Sequence, residues 1–253
     1  MGLPTIDALR KEISGEVILP QDAAYESVRN AFMAKGSPAV VVRPKTNGDV
    51  AAAIKYARSN NLILSVRSGG HSGAGHSTND GGMVIDLALM SAVEILDKEK
   101  RLVRLGAGAK WGDVAEQLGE HGLALSSGDT KTVGVGGLTL GGGVGWMVRQ
   151  YGLAIDSLAA AEIVLADGRV LQLSETENPD LFWAIRGGSG NFGVVTHFDF
   201  VAHPVKTVYA GVITYKRDDP ASTAKTLKAW RDYMREAPEE LNSMFLLLLA
   251  GAA

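Results

Sequence analysis

Residues 39–72 read AVVVRPKTNGDVAAAIKYARSNNLILSVRSGGHS, and the order of patterns within them decides the fold. Residues 39–43 are a β-branched run of strand type. The stretch NGDVAAAIKYARSNN follows with Val50, Ala53, Ile54 and Ala57 at helical spacing, and LILSV at 62–66 supplies a second strand. Strand, helix and strand in about thirty residues make a βαβ unit, whose right-handed crossover leaves the two strands parallel. The second strand then runs into a Gly/Ser loop, RSGGHSGAGHSTN (67–79), and GGMVIDL (81–87) gives a third strand.

The texture changes beyond residue 92. AVEILDKEKRLVRLGAG alternates on both sides of Asp97–Lys100, as a hairpin does, and WGDVAEQLGEHG is a short helix that Gly122 is placed to end. Residues 123–152 are dominated by SSGDTKTVGVGGLTLGGGVG. AAAEIVLADGRVLQLS makes a second hairpin about Asp167-Gly168, NPDLFWAIRG a helix with Asn178 as cap and Pro179 at its first position, and GVVTHFDFVA another strand. From about residue 207 the pattern starts afresh: TVYAGVITYK reads as a strand, ASTAKTLKAWRDYMREA as an amphipathic helix, and LNSMFLLLLAGAA as an apolar strand.

Composition narrows the function classes. At 253 residues and 46% hydrophobic content the chain can bury a sizeable core. The net charge of -3, from 25 basic and 28 acidic residues well mixed, supplies no basic stripe for a nucleic-acid backbone. There are no cysteines, which removes thiolate metal sites, iron–sulfur clusters, disulfides and cysteine nucleophiles together. The five histidines lack metal-ligand spacing, so no metal is expected. No signal-type N-terminus and no run of bilayer length is visible, and a cytoplasmic protein without a membrane partner is the expectation.

Glycine is the strongest deviation, 31 residues concentrated between Gly69 and Gly193. The common nucleotide fingerprints fail: a G-x-G-x-x-G begun at Gly134 and Gly136 meets Thr139 where the third glycine belongs, and no Gly-Lys-Ser/Thr exists for a P-loop. Two consecutive glycines after a strand in RSGGHS can still turn successive N–H groups into one concavity suited to phosphate oxygens. TVGVGGLTLGGGVG could lie flat against a large planar ligand. Taken alone, the first remains open to being a surface loop and the second a linker, although the interleaved valines and leucines do not suit a solvated linker.

The ordered set R-S-G-G-H-S, GG-M-V-I-D-L, W-G-D-V, TVGVGGLTLGGGVGWMVRQYGLAIDS, ADGRV and NPDLFWAIRGGSGNFGVVTHF resembles the PCMH-type FAD-binding domain of the vanillyl-alcohol oxidase/p-cresol methylhydroxylase superfamily. Within it, the chain is similar to the branch of FAD-linked oxidoreductases typified by berberine-bridge enzyme and 6-hydroxy-D-nicotine oxidase. The resemblance implies an α+β fold of two subdomains, a small parallel βαβ unit and a mainly antiparallel sheet with helices, over residues 36–206. Residues 1–35 form an N-terminal segment, and 207–253 the incomplete beginning of an α+β substrate domain. It implies FAD as cofactor, with Arg67, Ser68, Gly69, Gly70 and Ser72 in the pyrophosphate loop and His71 bonded covalently to the flavin 8α carbon. An imidazole suits that step because its neutral form is a nucleophile. Val133, Gly134, Val135, Gly136 and Gly137, with Gly142, Gly143 and Gly145, are implied to line the isoalloxazine and ribityl chain, and Val195 to meet the adenine end through its backbone.

The resemblance further implies a small-molecule substrate, an alcohol, amine or sugar-like compound, and dioxygen as electron acceptor, since Val133 stands at the family's gatekeeper position. Doubly attached members carry a cysteine where this chain has Thr130, so any tether here is His71 alone. The catalytic base belongs to the part of the family beyond this chain's last residue and is unassigned; an FAD-binding module without turnover is the alternative. His76 reads as a loop residue and His121 as a helix-end partner. Tyr151 and Asp156 resemble a segment near the flavin, and Trp111, Phe182 and Trp183 read as core.

Overall fold

The computed structural model describes residues 5–216 and 219–248. Two sheets organise it. The first has strands β1 (Glu16–Ile18), β2 (Val40–Arg43), β3 (Leu64–Arg67) and β4 (Met83–Asp86), in the order β1-β2-β4-β3. The expected βαβ unit is present, β2 and β3 being joined by α3 (Asn47–Ser59), whose N-cap Thr46 accepts from the Asp49 N–H. The two strands are parallel but not neighbours, because β4 lies between them in register Val40↔Met83 and Leu64↔Met83. All four residues of β4 are buried, which is why MVID carries no alternation. The segment before residue 36 supplies the antiparallel edge strand β1 and two helices, α1 (Ile6–Glu12) and α2 (Tyr25–Val28).

The second sheet is antiparallel, with β5 (Val93–Asp97), β6 (Leu102–Gly106), β7 (Leu158–Val164), β8 (Val170–Ser174) and β9 (Val194–Val201) in the order β5-β6-β9-β7-β8. Both hairpins fall where the alternation put them. Helix α4 (Trp111–Gly119) follows β6, α5 (Val135–Leu140) and α6 (Val148–Tyr151) precede β7, and α7 (Pro179–Ile185) precedes β9. One apolar core runs through both sheets, from Val42 and Ile85 to Leu105, Leu118, Phe182, Phe198 and Phe200. The lobes are also tied by polar groups: Asn47 of α3 donates to Glu162 of β7 at 2.7 Å.

Several expectations need correction. Asn178 stands at the N-cap of α7 but in the left-handed region (φ 49°), and its side chain donates to the Gln172 carbonyl instead of capping the helix. Trp111 and Phe182 are core, whereas Trp183 is 74% exposed, because its position on α7 turns away from the face that buries Phe182 and Ile185. Residues 207–216 and 241–248 form no strand: Val208, Val212, Ile213 and Leu246–Leu248 are exposed and no sheet edge among the described residues pairs them. Residues 249–253 of the second expected strand lie outside the described residues. Between these segments stands α8 (Pro220–Glu236), capped by Asp219, which accepts from the Ser222 N–H at 2.8 Å.

Candidate functional site

The Gly/Ser loop leaves the end of β3 and meets the glycine run that opens α5. The two backbones are pressed together. A Cβ on Gly69 would sit 2.2 Å from the Gly134 nitrogen, and one on Gly134 would sit 2.1 Å from the Gly69 nitrogen. Ser68 staples the contact, its hydroxyl donating to the Ala107 carbonyl at 2.6 Å and accepting from the Gly136 N–H at 3.2 Å. The Val135 and Gly136 N–H groups also donate to the Ala109 and Ala107 carbonyls. These residues therefore build the frame of the cradle, and the Ser68 hydroxyl is committed to protein partners.

Arg67 is likewise part of the frame. Its guanidinium is buried and turned inward, donating to Asp86 at 3.0 Å and to the carbonyls of Val28 and Asn30. Its aliphatic stem passes Gly70 of the loop, where a Cβ would stand 3.5 Å from the Arg67 Cδ. Asp86 holds Arg43 as well, at 3.1 Å, so one buried carboxylate ties β2, β3 and β4.

His71 stands half-buried beside this junction. Its Nε2 lies 3.0 Å from the Thr132 hydroxyl, and its ring stacks on Phe32 with centroids 4.3 Å apart and planes 18° apart. Phe32 is delivered by a backbone bond from its N–H to the Gly70 carbonyl. The three residues come from three chain segments. Thr132 and Phe32 were not singled out from the sequence: Thr132 is one small polar residue in a glycine run, and Phe32 precedes the motifs altogether.

The remaining candidates divide. Ser72 accepts from the Gly75 N–H through its carbonyl, closing the loop's far turn. Val133 packs against the core, its carbonyl accepting from the Trp111 N–H. Gly142 and Gly143 accept from Ile155 and Ala154, and the Gly145 carbonyl accepts from Val148, which fixes the run against the turn before β7. Val195 is buried in β9, opposite Ile163. Tyr151 and Asp156 do not join His71; they line a groove of about 520 Å³ with Ser157 and His203, where Tyr151 stacks on His203 at 3.9 Å and Ser157 bonds His203 at 2.9 Å. His121 and His76 are exposed. His197 pairs through Nδ1 with Glu162 at 3.2 Å.

The residues fit a large planar, phosphate-bearing cofactor. Gly137, exposed on α5, and Gly73, in the loop, have nothing within 4 Å of where a Cβ would stand, so internal packing does not require glycine there. The hydroxyls of Ser126 and of Thr139 in α5 are fully buried and have no hydrogen-bond partner among the described residues. A bare glycine face is what a cofactor that approaches the backbone closely needs. Among the described residues no cluster could hold a metal ion, and no helix is long and apolar enough to cross a membrane.

Fold and site together define an FAD-binding protein: residues 38–174 match the FAD binding domain family, and the chain belongs to it. Among its relatives, (R)-6-hydroxynicotine oxidase of Paenarthrobacter nicotinovorans is 41% identical over 206 residues, 80% of this chain and 45% of that protein. The crystal structure of 6-hydroxy-D-nicotine oxidase from Arthrobacter nicotinovorans superposes with a TM-score of 0.74 at 42% identity, covering 76% of this chain and 43% of that one. Glucooligosaccharide oxidase from Acremonium strictum, described as carrying 6-S-cysteinyl, 8α-N1-histidyl FAD, gives 0.70 at 36% identity, with 74% and 40% covered. The chain spans about half the length of the curated relatives it matches.

Proposed function

We propose that the chain is the cofactor-holding part of an FAD-linked oxidase, with residues 36–206 as the FAD unit and those after 206 as the start of a substrate domain. The bound flavin supplies the redox chemistry, accepting hydride at N5 from a small alcohol, amine or sugar-like substrate and handing electrons to dioxygen. The protein's share is binding and orientation. N–H groups of the Ser68–Ser72 loop face phosphate oxygens, the open face at Gly137 lets the cofactor approach the backbone, and the Val195 backbone lies at the adenine end. Val133 borders the reactive edge without blocking dioxygen.

His71 is the covalent attachment point, and no cysteine exists to make a second one. The observation that carries this reading is the placement of the His71 ring, half-buried at the seam of two glycine segments that are held together backbone to backbone. The names of the relatives support an oxidase, and the histidyl FAD of one of them supports the tether.

The test is direct. Denatured protein on a gel is expected to carry yellow flavin fluorescence that His71→Ala abolishes while non-covalent binding persists. A colourless chain that cannot be loaded with FAD would overturn the reading. Anaerobic bleaching of the loaded flavin by an alcohol, amine or sugar, reversed by air, separates turnover from binding alone.

A further inference from the structure

We infer that Thr132 is a positioning residue for His71: it holds the Nε2–H tautomer and so presents the Nδ1 lone pair as the nucleophile for flavin attachment. The inference rests on the proposed tether but adds the residue that selects the reacting nitrogen. Nε2 lies 3.0 Å from the Thr132 hydroxyl, and among the described residues Nδ1 has no hydrogen-bond partner. The face of the ring is taken by Phe32 at 4.3 Å, which fixes the plane in which Nδ1 points. Which nitrogen of a histidine carries the proton is set by the hydrogen bond at the other. A hydroxyl can donate to a bare Nε2 or accept from Nε2–H; the accepting arrangement assigned here leaves Nδ1 unprotonated, with its lone pair in the ring plane.

The Thr132 position is itself fixed. Its carbonyl stands 2.8 Å from where a Gly69 Cβ would be, so its backbone belongs to the seam with the loop that carries His71. Thr132 is exposed and makes no other side-chain hydrogen bond among the described residues, so its hydroxyl can pass a proton to water.

The chemistry balances on this arrangement. A proton leaves the flavin 8-methyl carbon, and the Nδ1 lone pair forms the new N–C bond to that carbon. The Nε2 proton departs through the Thr132 hydroxyl to solvent. The two electrons gained by the ring system pass to dioxygen, which takes two protons and leaves as hydrogen peroxide. The sum is a methyl C–H and an imidazole N–H joined into one C–N bond, with dioxygen reduced by two electrons.

The test has an arm that needs no flavin. Long-range ¹H–¹⁵N correlation spectra of the cofactor-free chain are expected to show His71 as the Nε2–H tautomer, shifting to a mixture in Thr132→Val and returning in Thr132→Ser. A wild-type Nδ1–H tautomer, or spectra unchanged in Thr132→Val, overturns the inference whether or not FAD binds. In the second arm, chains incubated with FAD in air are denatured and attached flavin is followed over time. Thr132→Val is expected to slow attachment by on the order of 10- to 100-fold, the scale on which misplacing a reacting group acts, with Thr132→Ser near wild type.

Mass spectrometry and NMR of the isolated flavin peptide then identify the bonded nitrogen. Nδ1 supports the inference, and bonding through Nε2 overturns it even if Thr132→Val fails to fold. Attachment that survives His71→Ala would instead bring down the tether reading, leaving the tautomer result standing.

Discussion

Gly69 and Gly134 touch through their backbones, each occupying the space that a Cβ on the other would need. Nothing flexible lies between them, so a methyl group at either position must push two main chains apart. Gly69→Ala and Gly134→Ala are each expected to destabilise the protein by at least about 1–3 kcal/mol, the range of overpacked cores, and to abolish FAD loading. Gly137→Ala is the contrast. Its Cβ would meet only open space and sits inside α5, so stability is expected to hold or rise by up to about 1 kcal/mol while flavin binding weakens. Urea denaturation with a flavin-loading assay on the three variants checks this, and equal stability losses in all of them would count against a cofactor face at Gly137.

The second expectation concerns Arg67 and Asp86. The pair is buried, and each partner also serves a further group: Asp86 holds Arg43, and Arg67 satisfies two carbonyls at the end of α2. Removing one charge leaves the other uncompensated in the interior, a loss of about 3–5 kcal/mol. Arg67→Met is therefore expected to destabilise the protein by that amount with FAD absent. A variant as stable as wild type that had lost only cofactor affinity would return Arg67 to the list of direct ligands.

Much of this architecture was legible in the chain. The β-branched runs and the 3.6-residue spacing of α3 gave the parallel unit, and alternation around Asp97–Lys100 and Asp167-Gly168 gave both hairpins. The insertion of β4 between β2 and β3 was not legible, because strand order is set by which faces find apolar cover and leaves no local mark. Residues 207–216 alternate like a strand, but alternation describes only the chain's side of a pairing, and no described edge pairs with it. At the site, the glycines marked the two segments that meet, yet glycine alone does not say whether it makes room for protein or for ligand. Gly69 and Gly134 serve protein contact, whereas the face of Gly137 is open. Thr132 and Phe32 were invisible because each acquires its role from a contact across the fold, 61 and 39 residues from His71.

His197 gives the protein a pH dependence. Burial, and after it the positive charge of Arg104, push its imidazole below the ordinary value, with Glu162, Asp199 and Glu94 pulling the other way. Its Nδ1 meets Glu162, which also accepts from Asn47, Thr196 and Gln172, while Nε2 is buried without a partner among the described residues. A depressed folded pKa means that the unfolded chain takes up the proton first as pH falls. The contribution to stability is thus complete above about 6.5, the unfolded value, and is lost as pH drops from there toward the folded value, with a slope of at most about 1.4 kcal/mol per pH unit. His197→Gln is expected to flatten the urea midpoint between about pH 7 and about pH 5.5. A smaller slope remains from His203, which burial and Arg101 also push down. Identical pH profiles for variant and wild type would remove His197 from this role.

Arg149 on α6 is the main polar anchor of the region after residue 206, to which Asn242 adds one longer bond, donating to the Gly145 carbonyl at 3.4 Å. Its guanidinium donates to the carbonyls of Ala237, Pro238 and Leu241, at 2.8, 3.1 and 2.6 Å, just past the end of α8. Helix α8 itself contains no buried residue, so apolar packing contributes little to holding it in place. Three hydrogen bonds from one charged donor are worth about 1.5–3 kcal/mol each at most, less the entropy of ordering the side chain. Arg149→Ala is expected to free α8 without unfolding the sheets. Limited proteolysis should cut the variant after residue 206 several-fold faster than wild type, with the global urea midpoint unchanged. Hydrogen exchange should lose protection in α8 alone. If exchange in β6 and β9 rose in step, α8 and the two-sheet body would be one cooperative unit and Arg149 a part of its core rather than an anchor between two parts.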